Sequence, residues 1–340
     1  MNKTVSIIVP CFNGEHFVDR CLHSIEIQNY PYIEVVVVND GSTDQSEAKI
    51  LVWKKILENK GIRLIYIKQK NQGPGSAINA GLKYISGEYL SLLDIDDEYL
   101  QGALSERVEF LENHRDIDVV RSNGWYIRKN GKSLFIYDEC EKKIDNLFAA
   151  LLEGRTNNWA GSYMVRVSSL FQFYPDREIY QSRYGQNLQF LLPLVYQKKC
   201  GFIDEPHMNY NQQENSLTKT ADVSNREKLS LDNARGYQDI REYMVRLIVR
   251  DEKEQEHFLR LVENAYWRGV MQIASTFNNH SLMKESFSKL LKKKAIQFDD
   301  HIIYCRLIHP EFVPILRLIR KIKSIFKKIT GGKEDGTFSR

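Results

Sequence analysis

Only five of the 340 residues are cysteine, at positions 11, 21, 140, 200 and 305, and nowhere do two of them form a C-x-x-C pair. That scatter excludes a disulfide framework and a structural zinc site, and it fits a reducing compartment. Long apolar runs are missing too: no stretch reaches the roughly 20 apolar residues that span a bilayer. The opening Met1-Asn2-Lys3-Thr4 leads into a strand-length run rather than a signal core with a cleavage site. A cytoplasmic protein, soluble or peripheral to a membrane, is expected. Net charge is only +4, and no nucleic-acid module shows in the spacing, so no nucleic-acid partner is expected. Phosphate-binding fingerprints fail on spelling. Gly73 and Gly75 begin a G-x-G, but Ile78 replaces the last glycine of the dinucleotide pattern. Gly131-Lys132-Ser133 ends like a P-loop, but Tyr126 stands where its first glycine belongs.

What is present is a core and a rhythm. Hydrophobic residues make up 42% of the chain, with 16 Phe and 18 Tyr, enough for a globular enzyme. Val5-Ser6-Ile7-Ile8-Val9-Pro10 reads as a buried parallel strand followed by a loop and a helix over 15–28. Ile33-Glu34-Val35-Val36-Val37-Val38 repeats the unit, ending in Asn39-Asp40-Gly41-Ser42-Thr43-Asp44 before a helix over 45–58. A third strand over 63–67 passes through Asn71-Gln72-Gly73-Pro74-Gly75 into a helix over 76–85. The repeated βα order predicts an open α/β sheet whose loops gather at the carboxyl edge of the strands, where ligands bind.

The fourth strand, Tyr89-Leu90-Ser91-Leu92-Leu93, runs into Asp94-Ile95-Asp96-Asp97. Three carboxylates so close repel one another, and a divalent cation carrying the phosphates of a ligand makes the cluster favourable. The alternative is a solvated turn in which Asp96 or Asp97 caps a helix starting near Tyr99.

These residues resemble the family 2 glycosyltransferases of the polysaccharide and capsule type. The likeness rests on Ile7-Ile8-Val9-Pro10-Cys11-Phe12-Asn13, Val37-Val38-Asn39-Asp40-Gly41-Ser42-Thr43-Asp44, Asn71-Gln72-Gly73 with Asn79-Ala80-Gly81, and Asp94-Ile95-Asp96-Asp97. The resemblance implies an α/β chain of GT-A fold: a Rossmann-like, mixed and mostly parallel sheet flanked by helices, with a helical C-terminal region. It also implies a metal-dependent, inverting transfer of sugar from a nucleotide-diphosphate donor, a UDP-sugar, to a hydroxyl of a glycan or lipid-linked acceptor. Asp40 then resembles the base-binding carboxylate, Pro10, Phe12 and Glu15 the loop lining the nucleoside, and Asn71, Gly73 and Asn79 the loop over the diphosphate. Asp96 is the expected ligand of Mn²⁺ or Mg²⁺, Asp94 a ribose or metal contact, and Asp97 their support. Oxygen-only ligands favour such hard ions over zinc. Asp44 is expected to cap the helix that follows it.

One departure is plain. Where the family carries an acidic pair whose Asp is the general base, this chain has Gln186-Asn187, and an amide cannot take a full proton. Asp176 or Glu178 on the preceding loop could serve instead, base assistance could be weak, or Gln186 and Asn187 could bind acceptor hydroxyls. Trp159 is a candidate sugar-stacking residue, with a core tryptophan as the alternative.

After about Lys219 the chain turns to long charged and aliphatic segments that read as helices, packing on the catalytic domain or on another copy of it as a homo-oligomer. From Pro314, Ile315, Leu318, Ile319, Ile322, Ile325, Phe326 and Ile329 line one side of a helix with basic residues opposite. Such a helix suits the inner face of an anionic cell membrane; a packing helix is the alternative. The expected domains are 1–218 (catalytic), 219–310 (helical), 311–330 (basic amphipathic helix) and 331–340 (disordered tail). Two other functions stay open: a nucleotidyltransferase, which shares the layout and the acids, and a catalytically silent nucleotide-sugar-binding scaffold at the membrane.

Overall fold

Valine and isoleucine, stiff at χ1 and favoured on a pleated surface, fill β1 (Val5–Cys11) and β2 (Ile33–Asp40). Val5, Ile7, Ile8, Val9 and Val35 through Val38 are wholly buried, as strands covered on both faces must be. The computed structural model describes residues 3–212 and 223–330, with side chains over 3–212 and 225–321. It divides into two units, Met1–Ser216 with Ile240–Glu252, and Leu217–Asp239 with Lys253–Arg340.

The first unit continues from β1 and β2 through α1 (Val18–Glu26), α2 (Ser46–Asn59), β3 (Arg63–Gln69), α3 (Pro74–Leu82) and β4 (Tyr89–Leu92). It then runs through β5 (Glu98–Tyr99), α4 (Ala103–Asn113), β6 (Val119–Arg128), β7 (Gly131–Leu134), α5 (Glu139–Lys142) and α6 (Leu147–Glu153). Last come β8 (Tyr163–Arg166), α7 (Val167–Phe173), α8 (Gln186–Val195) and β9 (Gly201–Asn211). The nine strands form one sheet in the order β3-β2-β1-β4-β8-β6-β9-β5, with β7 beside β6. Pairing is parallel from β3 to β4; β8 is antiparallel to both of its neighbours. β6 and β9 are parallel with register shifts near Asn123.

The helix expected from Tyr99 does not begin there. Glu98 and Tyr99 pair with Asn209 and Met208 instead, and α4 waits until after Gly102, whose φ of 86° breaks the strand direction. The hairpin expected at Asn130-Gly131 is present as β6–β7, with Arg128 opposite Gly131.

The second unit holds α10 (Glu252–Thr276), α11 (His280–Lys292), α12 (Phe298–Ile308) and α13 (Val313–Thr330), together with the first part of α9 (Val223–Ile248). Its core is Met271, Ala274, Met283 and Leu290, with Trp267 and Phe287 packed against it. Asp300 closes a capping box with Gln297 and pairs with Arg268 at 3.2 Å. Among the described residues no helix is long and apolar enough to cross a membrane. The boundary expected at 218 and the tail expected over 331–340 lie outside the described residues.

Candidate active site

All four parallel strands end on one edge, so loops far apart in sequence meet there. Short polar side chains tie the first two together. Asn13 Oδ1 accepts from Thr43 N (2.9 Å), Asn13 N donates to Ser42 Oγ (3.0 Å), and Gly14 N donates to Ser46 Oγ (2.8 Å). Asp44, one position before the N-cap Gln45, accepts from Ser46 N, the first residue of α2, at 3.0 Å and also from Glu15 N at 3.0 Å. Glu15 in turn accepts from Gln45 N at 2.8 Å, so its carboxylate fastens the second loop. Phe12 stands half-exposed beside them, after the half-buried Pro10 of β1.

Asp40 is buried and gathers the third loop. Its Oδ1 accepts from Gln69 Nε2 (2.7 Å) and Gln72 N (2.9 Å), and its Oδ2 from Gly73 N (2.8 Å). A carboxylate offers about four acceptor directions, which leaves one on Oδ2 for a ligand N–H. Gly41, at φ 76°, is required by this contact: a Cβ there would lie 2.7 Å from Asn71 N. Asn71 itself is exposed.

The acidic turn after β4 is clamped from two sides. Arg20 Nη2 of α1 and Asn211 Nδ2 of β9 (3.1 Å) both donate to Asp96 O, and Asn211 N donates to Asp97 Oδ1 at 2.9 Å. Although the Asp94 side chain reaches solvent, the surrounding protein and the charge of Asp96 push its carboxyl up to about 7. Burial also raises Asp96, against the opposing pull of a backbone N–H and the Arg20 guanidinium. Asp97, 1% exposed, is pushed well above the carboxylate range by burial and then by Asp96 and Asp94, and its Oδ2 has no hydrogen-bond partner. Carboxyls so placed gain from an added positive charge. Among the described residues no three His, Cys, Asp or Glu side chains surround a metal position. Asp94 and Asp96 supply two carboxylates, the number a magnesium-type ion uses when substrate phosphates and water complete its shell.

Other expected residues have different partners. Asn79 is buried, and both ends of its amide bond the backbone of Ile179: Nδ2 to Ile179 O at 2.8 Å and Oδ1 from Ile179 N at 2.9 Å. Asn79 therefore ties α3 to the segment after α7, while each end of its amide keeps a second bonding direction. Glu178 is exposed and pairs with Lys83 at 2.9 Å, and Asp176 is exposed; no hydrogen bond or ion pair among the described residues joins either to the acidic turn. Trp159 is half-buried, stacked on Tyr210 at 4.7 Å, and its Nε1 donates to Tyr126 OH at 2.9 Å. That is the setting of the core alternative. Gln186 Nε2 donates to Ser182 O and Asn187 Oδ1 accepts from Tyr163 OH, both at 2.7 Å, which leaves Gln186 Oε1 and Asn187 Nδ2 free of those bonds. Sequence reasoning missed Arg20, Gln69 and Asn211. Gln69 was in reach, as the last residue of a strand entering a ligand loop; the other two reach the turn only through the packing of α1 and β9.

The family model described as glycosyl transferase family 2 matches residues 6–179, and the chain belongs to that family. It is 34% identical over 122 residues to the minor teichoic acid biosynthesis protein GgaB of Bacillus subtilis strain 168, covering 35% of this chain and 13% of that one. Two solved structures share its GT-A fold. S. aureus TarS 1-349 in complex with UDP-GlcNAc has a TM-score of 0.58 at 18% identity, covering 94% of this chain and 87% of the other. The mannosyltransferase PcManGT of Pyrobaculum calidifontis, in complex with GDP-Man and Mn²⁺, has a TM-score of 0.54 at 13% identity, covering 98% and 89%. The chain spans between 18% and 34% of the length of the uncharacterized rickettsial glycosyltransferases it also matches.

Proposed function

We propose that this chain transfers a sugar from a UDP-sugar to a hydroxyl of a glycan or lipid-linked acceptor, with inversion, in the synthesis of a cell-surface polymer. The observation that carries the reading is the meeting of Asp40 and the Asp94–Asp97 turn at one strand edge, one acid with an acceptor direction spare and the other group short of positive charge. The UDP-GlcNAc held by TarS, and the GDP-Man and Mn²⁺ held by PcManGT, support it, and the printed role of GgaB supports the polymer.

In this reading Asp40 accepts an N–H of the base, Pro10 and Phe12 line the nucleoside with Glu15 bracing their loop, and Asn71 and Gly73 lie along the diphosphate. Asp94 and Asp96 hold Mn²⁺ or Mg²⁺, with Asp97 beneath them as support. The ion, when bound, neutralises the departing diphosphate. Gln186 Oε1 and Asn187 Nδ2 orient the attacking hydroxyl. Neither is a base, so donor activation carries the rate unless Asp176 or Glu178 takes the proton, and Trp159 shapes the acceptor side from within the core. The catalytic domain is 1–218, followed by the helical region 219–310.

α13 lies on an anionic inner membrane surface. Ile315, Leu318 and Ile319 are exposed on it, with Phe312 exposed in the turn just before it, together with Arg317, Arg320 and Lys321, and each cation near such a surface adds about 1 kcal/mol.

A panel of labelled nucleotide sugars, incubated with and without Mn²⁺, tests the reaction. Release of nucleoside diphosphate, even slowly to water, is the expected result. Pyrophosphate release would identify a nucleotidyltransferase. No turnover with intact UDP binding would identify the silent scaffold, which the Gln186-Asn187 pair favours.

A further inference from the structure

Between α7 and α8 the chain at Ile179 and Tyr180 belongs to no strand, yet its backbone is paired as if it did. Asn79, from α3, exchanges two hydrogen bonds with Ile179, at 2.8 and 2.9 Å. Gln189, from α8, does the same with the next residue: Tyr180 N donates to Gln189 Oε1 at 2.8 Å, and Gln189 Nε2 donates to Tyr180 O at 3.1 Å. Asn79 is 4% exposed and Gln189 0%. An uncharged amide is the side chain that offers a donor and an acceptor side by side, as a neighbouring strand would. The following backbone then crosses the first turn of α3, where a Cβ on Gly75 would lie 2.8 Å from Ser182 O. Gln186 closes back on that same carbonyl.

We propose that Asn79 and Gln189 are a pair of positioning residues, a two-amide staple that fixes the 179–187 segment against the helix following the Asn71–Gly73 loop. This rests on the nucleotide-sugar reading above. The staple sets the separation between the diphosphate loop on one side and Gln186 and Asn187 on the other. Neither amide touches the donor. A carboxylate in either place keeps the acceptor but turns an oxygen toward a backbone carbonyl, so the segment lifts away while its neighbours stay folded.

The test uses the full chain and three variants, Asn79→Asp, Gln189→Glu and Gly75→Ala, the last of which displaces the segment by bulk without removing a hydrogen bond. Amide hydrogen exchange, UDP affinity by calorimetry, and hydrolysis of UDP-GlcNAc and GDP-mannose are measured for each. Asn79→Asp is expected to lose protection at Ile179 and Gln189→Glu at Tyr180. All three should turn over about tenfold more slowly, since misplaced groups are costly in rate, while UDP affinity stays within about twofold. Combining Asn79→Asp with Gln189→Glu should cost less than the product of the two, because both act on one segment. A loss of UDP affinity matching the loss of turnover in Asn79→Asp would make Asn79 a donor contact and overturn the staple. So would unchanged turnover after protection is lost. If the unsubstituted chain neither binds UDP nor hydrolyses either donor, the nucleotide-sugar reading falls first and takes the staple's catalytic part with it. A variant that melts in the cold is judged by the other two.

Discussion

The stretch up to Asp97 and the stretch from Val119 to Asn211 supply one strand edge by opposite means. In the first, each βα unit delivers its own polar loop, and neighbouring loops are tied by short side chains such as Asn13, Asp40 and Asp44. In the second, the sheet turns antiparallel at β8, and the bonds that matter cross between the two stretches: Asn79 of the first holds Ile179 of the second, and Asn211 of the second holds Asp97 of the first. The lesson is that parallel topology places a site by repetition, whereas the remaining wall of the site has to be placed by individual side-chain bonds. Substituting the acids of the strand-end loops should therefore lose chemistry, and breaking the bonds between the two stretches should lose alignment.

The largest expected effect lies in the first half. Asp96→Ala should lower turnover at least about a hundredfold with an unchanged melting temperature, read by a donor-hydrolysis assay beside a thermal scan; near-normal turnover would break the contrast. Asp40→Ala comes next, since it strips the acceptor from two backbone N–H groups and from Gln69. It should cost about 1–2 kcal/mol of stability and about tenfold in UDP affinity, seen by denaturant titration and calorimetry.

A smaller effect follows from Asp94. Its folded-state pKa, raised to about 7, lies above the ordinary carboxylate value near 4. As pH rises through that window the unfolded chain gives up its proton first, so the metal-free protein loses stability between pH 4 and 7 from this group and is level above it. Asp94→Asn should flatten that slope and abolish Mn²⁺-dependent UDP binding; an unchanged slope would mean that Asp94 titrates normally. Smallest of all, removing 312–340 should leave donor hydrolysis in solution unchanged while releasing the protein from anionic vesicles in a salt-sensitive manner. Unchanged vesicle binding would favour a packing helix.

Legibility followed the same division. Val5 to Asp97 could be read because strands buried on both faces are continuous β-branched runs and each ends in a polar, glycine-bearing loop. Asp40 and the acidic turn stood out for that reason; Asp44 was legible as a residue at the start of α2, although the N-cap position falls on Gln45. The helix expected at Tyr99 failed because pairing with β9 outweighed a local capping signal. Trp159 could be seen as an aromatic but not as one facing Tyr126 and Tyr210, since a side chain's direction depends on strands that meet it only after folding.

The sequence by itself determined the βα repeat, the edge at which the strand-end loops gather, and the acids placed there, because each follows from residues within a few positions of one another. Tertiary structure alone decided that Asn79 turns toward Ile179, a hundred residues on, and that Arg20 and Asn211 grip the acidic turn. A side-chain amide or guanidinium bonds whatever backbone the packing brings within about 3 Å, and no local pattern in the chain records which backbone that will be.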